Sequence, residues 1–104
     1  MSEIKNAHIT REANVYFNGK VSSRNVWLEN GERVTLGFMV AGEYEFGTAD
    51  KEIMEVLSGE ITVLLPGQTA WKSFTAGGVF EVPANSKFGV KVAEYADYQC
   101  AYIK

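Results

Sequence analysis

Turn signals recur along this chain of 104 residues at intervals that leave room only for short strands between them. They are Asn18-Gly19, Asn30-Gly31, Ala41-Gly42, Ser58-Gly59, Pro66-Gly67, Gly77-Gly78 and Ala84-Asn85. The stretches between them, such as 34–40, 43–48, 60–65 and 79–82, are rich in β-branched and aromatic residues. Many short strands spaced by about 8 to 12 residues are typical of a sandwich or barrel. We therefore predict an all-β protein.

Two local features refine this prediction. Asn-Gly readily adopts positive φ, so the first two signals are predicted to form type I′ hairpin turns. No window keeps an apolar period of 3.6 residues over three turns, so at most one helical turn is expected, at the start of 50–57. The length fits one domain, with residues 14–104 as the barrel and residues 1–13 as a lead-in or edge strand.

The charge balance and the cysteine count exclude several classes of function. A formal net charge of −3 provides no basic patch for a polyanion, so no nucleic-acid partner is expected. Cys100 is the single cysteine, so an intrachain disulfide is impossible and no oxidising compartment is indicated. No apolar run approaches the roughly 18 residues of a membrane span. We expect a cytoplasmic protein with no membrane partner.

Alternation along the strands predicts which side chains share a face, because successive residues of a strand point to opposite faces. The predicted same-face rows are Tyr44, Phe46 and Thr48; Glu52, Met54 and Val56; Phe80 and Val82; Ser86, Phe88 and Val90; and Tyr98, Cys100 and Tyr102. Trp27 and Trp71 are predicted to fill the core or an interface. Together these rows combine aromatic rings with a single carboxylate, Glu52.

Two glycine- and proline-anchored segments carry a specific spacing. The first contains Gly42, Phe46, Gly47, Thr48, Glu52 and Gly59, the second contains Gly77, Pro83 and Phe88, and 17 residues separate them. This skeleton resembles the cupin barrel, which implies a single-domain jelly-roll β-barrel. In the cupin pattern the positions of Phe46, Thr48 and Phe88 carry histidines that bind a transition metal together with the carboxylate at Glu52.

Only the carboxylate is present in this chain. One carboxylate, one hydroxyl and two aromatic rings do not supply the three or more N/O ligands that Zn, Fe, Mn or Cu sites need. We therefore expect a barrel that works without a metal or other cofactor. A weaker alternative is a metal site that uses Glu52 with Glu43 or Glu55, although the latter two have the opposite strand parity.

Longer runs narrow the resemblance. They are Tyr16-Phe17-Asn18-Gly19-Lys20-Val21, Met39-Val40-Ala41-Gly42-Glu43-Tyr44, Val63-Leu64-Leu65-Pro66, 76–83 and Tyr98-Gln99-Cys100. In this order and spacing they resemble the pyrimidine/purine nucleoside phosphorylases, a family of small bacterial cupins, over about residues 14–102. The resemblance implies a metal-free homodimer that cleaves purine and pyrimidine nucleosides with inorganic phosphate as co-substrate. The products would be a free base and a pentose 1-phosphate.

The cupin resemblance implies that the rows beginning at Tyr44, Glu52, Phe80 and Ser86 face inward, and the chemistry that it implies assigns expected roles to residues around this interior. Glu52, desolvated among aromatic rings, is the candidate catalytic acid/base, because desolvation raises a carboxyl pKa toward the working range. The candidate substrate-binding residues are Tyr44, Phe46, Thr48, Met54, Phe88 and Tyr98. The aromatic rings among them can stack on bases of either size. The candidate phosphate-binding residues are Arg33, Lys20, Thr35 and Ser86, with Arg33 favoured because its planar fork matches oxyanions.

A non-catalytic alternative stays open. No residue is an obvious catalytic base from its sequence context, so the same barrel could bind a small sugar or nucleobase without turnover. His8 lies in the lead-in with no partner serine or cysteine at a recognisable spacing, and Cys100 is interpreted as a small buried apolar residue. Tyr102 is expected to pack rather than to bind ligand.

Overall fold

The computed structural model describes residues 2–104, which form an antiparallel β-structure with one short 3-10 turn. The strands are β1 (His8–Ile9), β2 (Asn14–Tyr16), β3 (Val21–Trp27), β4 (Arg33–Gly47), β5 (Lys51–Leu64), β6 (Lys72–Thr75), β7 (Val79–Val82) and β8 (Lys87–Ile103). The 3-10 turn spans Phe17–Gly19. The predicted all-β class is confirmed, whereas the helical turn expected at the start of 50–57 is wrong, because β5 begins there.

Three long strands, β4, β8 and β5, lie at the centre of the sheet. The hydrogen-bonded order is β1-β3-β4-β8-β5-β6, with β2 also paired to β3 and β7 also paired to β5. All of these pairs are antiparallel. Both edges of β8 are therefore hydrogen-bonded, so its inward side chains lie between those of β4 and those of β5.

Two of the predicted turns are instead irregularities inside long strands. The register of β4 shifts between Val40 and Gly42, and that of β5 shifts between Val56 and Ser58 and again after Gly59. Gly59 has φ +78°, and a Cβ on it would overlap the carbonyl oxygen of Tyr95 on β8. Bulges of this kind bend a strand, so these glycines curve the sheet rather than end its strands.

The two Asn-Gly pairs lie in hairpin connections, as predicted, but neither connection is a two-residue type I′ turn. The first pair lies in the four-residue link between Tyr16 and Val21, where the 3-10 turn replaces the tight turn. The second lies between Trp27 and Arg33, with Gly31 at φ +89°. The longer loops leave aromatic residues near both ends of β3.

The buried side chains follow the predicted alternation and form one core. Met54, Val56, Phe80, Val82, Phe88, Val90, Tyr98 and Cys100 are all at most 6% exposed. Neighbouring residues of opposite parity, such as Glu43 and Lys91, are exposed. One sheet that encloses its apolar face in this way is the cupin-type jelly-roll barrel that the sequence predicts.

The two tryptophans lie at the periphery of the sheet. Trp27 and Trp71 are 43% and 39% exposed, so the core alternative is wrong for both and the interface alternative stays a prediction. Trp71 lies on the outer surface over Gly89, with the Lys91 ammonium 4.2 Å from its ring centroid. Within the lead-in, His8 and Ile9 pair with β3 as the edge strand of the sheet. Residues 2–104 contain no helix long and apolar enough to cross a membrane.

Candidate active site

A cavity of about 150 Å³ opens into the barrel between β4, β5 and β8. Its walls are formed by Tyr16, Ser23, Thr35, Met39, Phe46, Gly47, Glu52, Met54, Phe88, Tyr98, Cys100 and Tyr102. The structure thus brings together six of the sequence-predicted site residues: Thr35, Phe46, Glu52, Met54, Phe88 and Tyr98. Aromatic and polar groups share the lining, which is the usual make-up of a small-molecule site.

Strand pairing explains why the polar groups meet. Glu52 of β5 pairs with Tyr102 of β8, and Met54 pairs with Cys100. Cys100 in turn pairs with Thr35 of β4. Because residues directly opposite each other on neighbouring strands point to the same face, these side chains form adjacent rows on the barrel interior.

Glu52 is the one carboxylate on the cavity wall. Desolvation by burial raises the pKa of Glu52 above its usual value, opposed by smaller effects of the Cys100 thiol and the Arg33 charge. The Cys100 thiol donates to Glu52 Oε1 over 3.4 Å, and burial raises the pKa of that thiol. Cys100 is therefore protonated at neutral pH, which leaves Glu52 as the group able to exchange a proton with a ligand.

Tyr102 contacts both Thr35 and the cation Arg33. Its hydroxyl shares a hydrogen bond of 3.1 Å with Thr35 Oγ1, and burial raises the pKa of Tyr102 to about 12. The guanidinium of Arg33 lies 4.1 Å from the centroid of the Tyr102 ring, and its Nη1 donates to Asn25 Oδ1 over 3.1 Å. The packing role predicted for Tyr102 is incomplete, because the residue also lines the cavity.

Arg33 faces a second cavity, of about 420 Å³, that shares Tyr102 with the first. It is also lined by Trp27, Gly31, Glu32, Ile103 and Lys104. Arg33 is only partly exposed, and its side chain has no carboxylate within salt-bridge distance among residues 2–104. A half-buried guanidinium without an acidic partner is suited to binding an anionic ligand.

Two stacked aromatic rings form part of the wall of the first cavity. The rings of Phe46 and Phe88 are stacked with their centroids 5.7 Å apart and an interplanar angle of 30°. Phe88 is buried, whereas Phe46 is partly exposed. These two rings occupy cupin positions that carry histidines in metal-binding members, so a flat hydrophobic surface replaces the ligands.

Four predicted site residues lie outside the linings of both cavities. Tyr44 is buried and its hydroxyl donates to the Val40 carbonyl over 2.7 Å, while Lys20 is exposed in the link between β2 and β3. The hydroxyls of Thr48 and Ser86 both donate to the carbonyl of Pro83, over 2.7 and 2.6 Å. Thr48 and Ser86 therefore stabilise the turn before β8, and the structure does not place their hydroxyls at the cavity.

Six lining residues were absent from the predicted set: Tyr16, Ser23, Met39, Gly47, Cys100 and Tyr102. Parity already placed Cys100 and Tyr102 on the same strand face as Tyr98, so a signal for both was available. Ser23 and Met39 pair with Gly37 and Val21 across β3 and β4, and this register is not readable from one sequence. Tyr16 is the last residue of β2, and it lines the cavity because of the course of the β2–β3 link that follows it.

The donor set does not fit a transition metal. Residues 2–104 contain no group of three His, Cys, Asp or Glu side chains placed to hold one. Around Glu52 the nearest potential ligand is the Cys100 thiol, whose raised pKa disfavours the thiolate that metals require. Glu43 is exposed on the outer face, so it does not join Glu52 at the cavity.

Gly37 controls the position of one cavity wall. A Cβ on Gly37 would overlap the ring of Tyr98, whereas a Cβ on Gly47 would have its nearest neighbour at 3.9 Å. We expect Gly37→Ala to displace Tyr98 and to lower the free energy of unfolding by about 1–3 kcal/mol, as overpacking does. Urea denaturation measures the loss, with Gly47→Ala as the matched control on the same strand. Equal stability of the two variants would contradict the prediction.

The fold and this cavity define a small single-domain cupin whose interior offers a carboxylate, hydroxyls and stacked rings to a small molecule. The pyrimidine/purine nucleoside phosphorylase family model matches residues 11–102. The chain belongs to that family. This membership confirms the resemblance that the sequence runs indicate.

Individual relatives agree over the whole chain. A pyrimidine/purine nucleoside phosphorylase of Hydrogenovibrio crunogenus is 55% identical, with 99% of both chains covered. One from Syntrophotalea carbinolica is 54% identical, with both chains covered completely. The crystal structure of a protein of unknown function from Acinetobacter sp. ADP1 has a TM-score of 0.94 at 34% identity, covering 97% of this chain and 98% of that one.

Proposed function

We propose that this protein is a broad-specificity nucleoside phosphorylase, a pentosyltransferase that cleaves purine and pyrimidine nucleosides with inorganic phosphate. The products are a free base and a pentose 1-phosphate. The observation that carries the proposal is a half-buried carboxylate with a raised pKa on the wall of a cavity that it shares with stacked aromatic rings. Family membership supports the same activity.

Proton transfer in the proposed reaction centres on Glu52. An oxygen of hydrogen phosphate forms a bond to C1′ as the bond from C1′ to the base nitrogen breaks, and that bonding pair stays on the base. Protonated Glu52 donates its proton to the departing base and regains one from the attacking hydrogen phosphate. The raised pKa supports this role, because a carboxyl group must hold a proton near the working pH to act as an acid.

Arg33 and Thr35 form the proposed phosphate end of the site. Thr35 Oγ1 lies on the cavity wall, and Arg33 lies across the Tyr102 ring from it, facing the second cavity. Phosphate that enters through the second cavity would meet the guanidinium first. Arg33 then holds the anion by charge-assisted hydrogen bonds, which are stronger than neutral ones. Lys20 and Ser86 are not needed in this arrangement.

Phe46 and Phe88 form the proposed base end. Stacking against a ring does not depend on the hydrogen-bonding edge of the base, so one surface accepts both purines and pyrimidines. Met54 and Tyr98 complete the wall beside them. The site would therefore act mainly by positioning and electrostatic stabilisation, with no metal or other cofactor.

We also propose a cytoplasmic homodimer. Phe38 and Tyr95 stack on the outer surface with centroids 5.7 Å apart, and both are more than 40% exposed. Val40 pairs directly with Tyr95 and is similarly exposed. A cluster of exposed apolar side chains is typical of an interaction surface. A solution mass equal to that of a single chain would contradict the dimer.

Phosphate-dependent release of base tests the activity. We expect chelator-treated protein to release uracil from uridine and hypoxanthine from inosine only when inorganic phosphate is present, with pentose 1-phosphate as the second product. Chromatography of the products measures both. Retained activity after chelation would support the metal-free mechanism, and release by water alone would contradict phosphorolysis. Nucleoside binding without release by the folded protein would instead favour a non-catalytic cupin.

A further inference from the structure

The link between β2 and β3 holds a bulky residue in an unfavourable backbone conformation. Phe17 has φ +52° and the following Asn18 has φ +56°, so both lie in the left-handed region. Asparagine tolerates this region, whereas a phenylalanine there is a genuine outlier. Strained residues persist only where the surrounding structure holds them, and they cluster at ligand clamps and active sites.

The Phe17 ring is held against the aromatic part of the cavity wall. Its centroid lies 5.0 Å from that of Tyr44 and 5.5 Å from that of Phe46, which it meets nearly edge-on at 87°. Phe46 in turn stacks on Phe88. The strained turn thus places Phe17 directly against the ring that forms the proposed base surface.

Tyr16, the preceding residue, reaches the cavity itself. It is a lining residue, yet it remains 47% exposed, and Phe17 is 42% exposed. The Tyr16 ring therefore lies where the cavity meets solvent, and the Phe17 ring packs against the lining residue Phe46. Their exposure has no structural benefit for the isolated chain, because burying aromatic surface would stabilise it.

The size of the cavity indicates what these rings contact. Sites for drug-sized ligands usually enclose about 300–1,000 Å³, and this cavity encloses about 150 Å³. A nucleoside with its pentose near Glu52 would therefore extend beyond the cavity through its mouth. The group that it meets there is the ring of Tyr16, the exposed lining residue, while Phe17 packs against Phe46.

We propose that Tyr16 and Phe17 form the outer half of the nucleobase site, with Tyr16 covering the base and Phe17 bracing Phe46 behind it. This inference rests on the proposed function and names residues that set substrate affinity rather than residues that do chemistry. It also gives the strained turn a purpose: Phe17 and Asn18 hold the Tyr16 ring at the mouth and the Phe17 ring behind Phe46 in advance, so less ordering is required on binding.

The test compares four variants. We expect Tyr16→Leu to raise KM for both uridine and inosine by about tenfold, the size of effect seen when a base loses an aromatic partner. Phe17→Leu should raise both KM values by a smaller factor, because Phe17 acts through Phe46. KM for phosphate should not change. Tyr16→Phe keeps the ring and should behave like the unmodified protein. Trp71→Leu removes an equally exposed ring over Gly89 on the outer surface and serves as the control.

Binding of uridine, measured by calorimetry without phosphate, separates this inference from the activity. Weaker binding by the two leucine variants, with normal circular dichroism, would support the roles of Tyr16 and Phe17 even if no turnover were found. Unchanged binding and KM in both variants would overturn these roles while leaving phosphorolysis intact. If Tyr16→Phe lost as much affinity as Tyr16→Leu, the hydroxyl would be responsible and the stacking role would be wrong. No uridine binding and no turnover by the unmodified protein would overturn both proposals.

Discussion

We expect Glu52→Gln to lower kcat for uridine and inosine by about 10²- to 10⁴-fold, the usual contribution of a positioned acid or base. Glutamine keeps the shape of the side chain and can still form hydrogen bonds in the cavity, but it has no acidic proton to transfer to the departing base. KM for phosphate should change little, because Arg33 rather than Glu52 is the proposed anion contact. Steady-state kinetics with both nucleosides measures the effect.

The pH dependence follows from the direction of the pKa shift. Burial raises the pKa of Glu52 above its ordinary value of 4.5, so the protonated acid persists to higher pH than in an exposed carboxyl. Activity that needs the proton should fall as pH rises through the raised pKa, and this fall should be absent in Glu52→Gln. The stability due to the same group is fully present below pH 4.5 and is lost over the same rise.

Glu55→Gln is the matched control for this prediction. Glu55 is also half-buried and lies on β5, but its parity places it on the opposite face from Glu52. We expect its kcat and its pH profile to match those of the unmodified protein. If Glu52→Gln retained kcat within a factor of a few, or kept the same pH profile, Glu52 would not be the acid.

The inward rows could be predicted from the sequence because strand parity depends only on local spacing. Glu52 and Met54 on one strand, and Phe88 on another, lie on the cavity wall as their parity requires. Parity does not say how far along the barrel a residue lies. Thr48 and Ser86 have suitable parity, yet their hydroxyls bind the carbonyl of Pro83 at the turn.

Other features depend on pairing between distant strands, which one sequence does not reveal. The hydrogen bond between Thr35 and Tyr102 joins residues 67 positions apart, and Arg33 stacks on the same Tyr102 ring. The signals at Ala41-Gly42 and Ser58-Gly59 predict turns, because the sequence does not show that neighbouring strands continue beside them. In the structure those neighbours are present, so the chain bulges and stays in the sheet.

Removing the guanidinium should have the second largest effect. We expect Arg33→Ala to raise KM for phosphate by about 10- to 100-fold, the equivalent of the roughly 1.5–3 kcal/mol that a hydrogen bond to a charged group contributes. KM for uridine should change much less, because Phe46 and Phe88 line the first cavity whereas Arg33 lines the second. Kinetics at varied phosphate and fixed uridine measure the difference.

A second consequence of Arg33→Ala separates electrostatics from a general loss of structure. The Arg33 charge holds the pKa of Glu52 lower than desolvation alone would leave it. Without that charge the pKa of Glu52 should rise, so the high-pH fall in activity should move to higher pH. Arg33→Lys retains a charge but not the planar fork, so it should restore the position of the fall and only part of the phosphate affinity. If Arg33→Ala left both the pH profile and KM for phosphate unchanged, Arg33 would not belong to the site. Thr35 would then be the group on the cavity wall to examine for anion binding.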